Sequence, residues 1–130
     1  MTISPQLLDD LATQARQSPR LRVSFDLRNS PDDQSQRVLN ALQPGTIVPI
    51  HRHTASSETA AIIRGALKIL IYNPDKSLKE SFTVAANSPL SFYMLPPNTW
   101  HSCQVLQPDT IMFEAKDGPY SPLSPSDILE

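Results

Sequence analysis

Apolar residues recur at helical spacing clearly in one place near the start of the chain, at Leu7, Leu8, Leu11 and Ala15. Ser4 is placed to cap such a helix and Pro5 suits its first turn, while Asp9 and Asp10 fall early and Arg16 late, as the helix dipole favours. Ser18-Pro19 ends it, so residues 1–17 hold one short helix whose stripe packs on a sheet or in a dimer contact. From Arg20 the period changes to two. Arg20 to Leu27 alternates as a half-buried strand does, and Asn29-Ser30-Pro31-Asp32-Asp33 then turns the chain. Gln36 to Leu42 reads as a further strand, although its second half also tolerates a helical period. Beyond Gly45, seven segments have strand length and composition: Thr46 to His53, Glu58 to Arg64, Ala66 to Tyr72, Ser81 to Ala85, Leu90 to Leu95, Trp100 to Leu106 and Thr110 to Lys116. Short strands joined by regular turns predict an all-β sandwich or barrel.

Composition sharpens this picture. The 130 residues suit one domain spanning 1–130, large enough for a true core. Thirteen prolines, scattered along the chain, disfavour long helices, and Pro119, Pro122 and Pro125 mark residues 117–130 as a Pro-rich tail expected to lie along the body. Only three glycines occur, none close enough together for a phosphate-cradling loop. A formal charge of −2 with no basic stripe argues against nucleic acid as a partner. The lone Cys103 excludes an intrachain disulfide and a cysteine-based zinc ribbon. No segment has the length of a membrane span and the first residues lack a signal-peptide pattern, so a cytoplasmic location is expected.

The chemistry gathers around the histidines. His51 and His53 are two apart, so on a strand both imidazoles face one point. Glu58 opens the next strand, and a hairpin would bring its carboxylate beside them, a donor set suited to a divalent transition metal. Around this centre Cys103 shares a strand face with His101 and either enters the site as a thiol or packs inertly. Arg64, on the strand of Glu58 with the same parity, is a candidate anion anchor for a substrate, though a structurally paired arginine fits as well. Glu114 and Lys116 are possible supporting or substrate-contacting groups, with Lys116 the second candidate anchor.

Gly45, His51, His53, Glu58 and Gly65 together fit the first motif of the cupin superfamily at every fixed position, and Pro96-Pro97-Asn98-Thr99-Trp100-His101 resembles its second. Asn98 stands where the motif has glycine, and Asn tolerates a left-handed backbone better than most residues. Val105 stands where the motif often ends in asparagine. The amino-terminal helix, Ser18-Pro19-Arg20, Gln36-Arg37 and Gly118-Pro119-Tyr120 extend the likeness to the WbuC family of small cupin-fold metalloproteins. The resemblance implies a single cupin-type double-stranded β-helix, a jelly-roll barrel, with its metal-binding core over residues 45–116. It also implies one divalent ion per chain (Zn, Fe, Mn, Ni or Co) held by His51, His53, Glu58 and His101, and a homodimer. WbuC-like proteins are found with surface-polysaccharide gene clusters, but the family implies no particular reaction.

Two functions fit these residues. One is an enzyme, of isomerase, lyase or dioxygenase type, acting on a small oxygen-rich metabolite such as a sugar derivative with the metal as Lewis acid. The other is a non-catalytic, metal-dependent module that binds or senses a small molecule. A metal-independent sugar epimerase of the same fold would not need the full set of ligands, and its presence argues against that option.

Overall fold

The computed structural model describes residues 1–130. Helix α1, Pro5–Gln17, begins where expected: the Ser4 hydroxyl accepts from the Leu7 N–H at 3.2 Å, and the Ser18 N–H closes the last turn on the Ala15 carbonyl. Ten strands follow: β1 Arg22–Asp26, β2 Ser35–Leu42, β3 Ile50–His51, β4 Glu58–Arg64, β5 Ala66–Tyr72, β6 Leu78–Ala85, β7 Phe92–Leu95, β8 Trp100–Val105, β9 Thr110–Asp117 and β10 Ile128–Leu129. They form two five-stranded antiparallel sheets, β1-β2-β9-β4-β7 and β10-β3-β8-β5-β6, so the all-β barrel with one amino-terminal helix is what the chain adopts. No helix is long and apolar enough to cross a membrane.

Two apolar layers hold the fold. Between the sheets, Leu42, Ala60, Ile62, Leu67, Ile69, Ile71, Val84, Leu95, Val105 and Met112 form one buried cluster. Outside the first sheet, Leu8, Leu11 and Ala15 of α1 cover Leu39, Ala41 and Ile111, with Val23, Phe25 and Phe113 around them. The helix stripe is thus covered within the chain, which removes the uncovered stripe as an argument for a dimer.

Several boundaries differ from the sequence pattern for identifiable reasons. The segment Thr46 to His53 keeps only two strand residues: Pro49 has no N–H to give a ladder, the Val48 carbonyl accepts from the Ser102 hydroxyl at 2.7 Å, and the Thr46 hydroxyl donates to the Leu21 and Gln43 carbonyls. The tail is structured: a 3-10 turn, Pro125–Asp127, leads into β10, which pairs with β3 through Ile128↔His51. At Gly65 (φ +78°) an added Cβ would collide with Thr110, so the tight β4–β5 connection requires glycine. Asn98 takes the left-handed backbone (φ 67°) that its place in the second motif demands.

Candidate metal centre

The barrel interior opens into a cavity of about 750 Å³, lined by His51, His53, Glu58, His101, Glu114 and Lys116 among others. His51 ends β3 directly opposite His101 of β8, with ring centroids 4.3 Å apart. His53 lies just past the strand end, yet its ring still converges, 5.1 Å from His51 and 5.8 Å from His101. The Asn98 N–H donates to the His53 carbonyl at 2.8 Å and ties the two motif loops together. Between the histidines, Arg52 faces away: its Nε lies 3.2 Å from the Asp127 carboxylate and its guanidinium stacks 4.5 Å from the Trp100 ring, which pins the tail.

One nitrogen from each histidine lies within 4.8 Å of the other two, an arrangement that can hold a metal ion. The Nδ1 atoms of His51 and His101 each lie 2.8 Å from a backbone carbonyl, of Pro49 and Thr99, so Nδ1 carries the hydrogen and each Nε2 offers its lone pair to the centre. Glu58 Oε2 lies 3.2 Å from His101 Nε2 and 3.6 Å from His53 Nε2. Yet Glu58 Oε2 and His53 Nε2 are buried without a hydrogen-bond partner. Lone pairs facing one another across such distances need a proton or a cation between them. A divalent ion fits the cluster of three histidines, beside which Glu58 lies.

The electrostatics agree. Burial, then the neighbouring His101, lowers His51 to about 4, and burial with nearby Lys116 lowers His53, so both are neutral at pH 7. Burial pushes the Glu58 carboxyl up, but His101 and Lys116 outweigh it and hold it at about 2. For His101, burial is outweighed by the adjacent Glu58 carboxylate, and its pKa is raised. Acid therefore protonates His101 before His51 and His53, and a metal ion at the centre would compete with that proton.

Lys116, the cross-strand partner of Glu58, has its Nζ 3.3 Å from Glu114 Oε2. Burial and the charge of Glu58 push Glu114 up to about 7. Cys103 lines the cavity, where burial raises its thiol to about 12 and keeps it neutral at pH 7, and it is not part of the histidine cluster.

Arg64 is not part of the site. A register shift between Ile62 and Arg64 reverses the face expected from strict alternation, and Arg64 pairs with Asp9 of α1 at 2.6 Å on the outside of the sheet. The wall instead includes Arg20, Arg22, Tyr93 and tail residues 117–123, none of which the sequence marked as a site residue. Arg22 could have been found. Val23 and Phe25 are the apolar side of β1, and they face α1, so the polar side carrying Arg22 and Ser24 faces the cavity. The tail crosses the mouth, held by Ser57 on Asp117 (2.9 Å) and by Gln36 on the Gly118 and Pro119 carbonyls (3.3 Å each).

Similar structures are cupin-fold proteins. KdgF from a Halomonas species aligns with a TM-score of 0.63 at 16% identity, covering 79% of this chain and 84% of its own. An oxalate oxidase in complex with the substrate analogue glycolate aligns at 0.61 and 17% identity over 78% of this chain, and oxalate decarboxylase from Bacillus subtilis at 0.60 and 20% over 84%. The chain spans only 53% and 27% of those two proteins, and at such identities the likeness establishes the fold alone. No curated protein matches the sequence. A family model, described as a domain of unknown function, matches residues 3–84, which include α1, His51, His53 and Glu58. With more than half of the chain matched and the barrel in place, the chain belongs to that family, DUF6016, built on a cupin fold.

Proposed function

We propose that His51, His53, Glu58 and His101 bind one divalent transition-metal ion, and that the protein is an enzyme acting on a small oxygen-rich metabolite admitted to it through the cavity. The observation that carries this reading is the pair of partnerless buried atoms, His53 Nε2 and Glu58 Oε2, within a cluster whose other nitrogens are already oriented by backbone carbonyls. An ion held by four protein atoms supplies a Lewis acid with positions left for a ligand's oxygens. The chain's own residues do the rest. His51 and His53 stay neutral through burial, and Glu58 stays charged. Glu114, near 7, can hold or release a proton beside the site, with Lys116 balancing its charge. That proton-handling pair favours an enzyme over a passive binding module. The glycolate in the oxalate oxidase neighbour supports small hydroxy acids as a ligand class. A sugar-derived substrate in surface-polysaccharide metabolism, and WbuC kinship, rest on the sequence resemblance.

Metal analysis of protein purified without a metal-affinity column tests the reading. About one ion per chain is expected, lost in His101→Ala and Glu58→Gln with the fold retained; full retention in both variants refutes it.

A second copy of the chain is proposed to cover the outer face of β4 and β7. Phe92, Met94 and Ile63 are 63%, 58% and 43% exposed there, and β7 is a sheet edge.

A further inference from the structure

The cavity wall carries two cations that make no ion pair. Of the eleven Lys and Arg side chains, six are ion-paired with carboxylates, Lys116 to Glu114 among them. Lys68, Lys76 and Lys79 lie on β5, in the following turn and on β6, off the cavity wall. Arg20 and Arg22 remain, and both line the cavity. Arg22 is turned inward by its register, opposite Leu42 of the inner core. It is part-buried and makes no ion pair or side-chain hydrogen bond; the ionisable groups near it are Arg20, the neutral Cys103 thiol and Glu114. Two unpaired guanidinium groups near one another repel, and the part-buried Arg22 also loses hydration. A planar anion would relieve both costs, and the fork of an arginine matches a carboxylate with two parallel hydrogen bonds.

Resting on the metal reading above, we propose that the ligand is a dianionic hydroxy or keto acid, with one end at the metal centre and a second carboxylate held by Arg22, Arg20 standing at the rim. Lys116 cannot take that role because Glu114 and Glu58 already engage its charge. Cys103, a neighbour of Arg22, lies two residues along β8 from His101, a step of about 7 Å on a strand. The acid's carbon skeleton therefore needs roughly four to six atoms to reach both ends.

The test uses cobalt(II)-loaded protein and follows the visible bands on titration with glycolate, malate or 3-phosphoglycerate. Malate binds about tenfold or more tightly than glycolate. Arg22→Gln abolishes that preference by weakening malate alone, Arg22→Lys restores part of it, and unchanged circular dichroism and cobalt spectra without ligand certify the fold. Equal affinity for malate and glycolate, or an Arg22→Gln variant that keeps the preference, overturns the inference while glycolate binding leaves the metal centre standing. A preference for phosphoglycerate over malate overturns the carboxylate assignment. If cobalt does not bind, or no acid alters its bands, the metal reading fails. The Arg22 Nε–Hε resonance of metal-free protein, titrated with succinate, then decides: movement supports the anion subsite and a static resonance overturns it.

Discussion

Acidification of the metal-free protein from pH 6.5 to 4.5 tests how the cavity holds its histidines. The folded-state pKa of His51 is depressed from 6.5 to about 4 by burial and by His101. A depressed histidine contributes stability that is fully present above its unfolded pKa and is lost as pH falls through the folded value. A shift of that size corresponds to about 3 kcal/mol, or about 2–3 kcal/mol after allowing for the part of the ring that meets solvent. His53, lowered by burial and Lys116, adds loss of the same sign. Glu114 opposes His51 in this window: raised to about 7, it takes up its proton in the folded chain first, and so adds stability as pH falls from 7 to 4.5. Two other groups stay out of the way. His101 is raised, so its contribution is complete below 6.5 and is lost only as pH rises through its folded pKa. Glu58, held at about 2 against an ordinary 4.5, gives up its contribution only below 4.5. Urea unfolding followed by fluorescence of the buried Trp100 should show that, between pH 6.5 and 4.5, the wild-type midpoint drops by roughly 1–2 M relative to that of His51→Gln, in which nothing opposes the gain from Glu114. Parallel pH profiles for the wild type and the variant would refute the argument that burial of this imidazole is what depresses it.

Three further outcomes are expected. Loading the metal should raise the thermal midpoint by about 10 °C at a hundredfold excess over the dissociation constant, and chelation should reverse this without unfolding the chain, because the two apolar clusters hold the barrel; unfolding on chelation at 25 °C would contradict it. Sedimentation should show a dimer that Phe92→Glu converts to monomer, and a monomeric wild type at high micromolar concentration would exclude the β4–β7 interface. Gly65→Ala should destabilise by about 2–4 kcal/mol in urea titration, since it strains a positive φ and drives a methyl group into Thr110.

Much of the site was legible in the chain because its chemistry is local. His51 and His53 are two residues apart and Glu58 follows across one loop, so residue type and spacing named these three, while the resemblance of residues 96–101 to the second cupin motif added His101. The β4 and β5 boundaries were legible for the same reason: strict patterning and Gly65 between them. What only the tertiary structure decided is which side of each pattern meets water. The alternation in β1 marks two faces but does not say that a helix covers Val23 and Phe25, which turns Arg22 into the cavity. Alternation also placed Arg64 beside Glu58, and a bulge at the end of β4, invisible in residue types, sent it to the outer face and to Asp9. The tail read as Pro-rich coil because two strand residues carry no periodicity of their own; β10 exists only because β3 offers it an edge and Arg52 a charge for Asp127. Short-range spacing specifies which groups can meet. Long-range packing specifies whether they face one another, since a single extra residue in a ladder, or a layer laid on one face, reverses the side on which a side chain is buried.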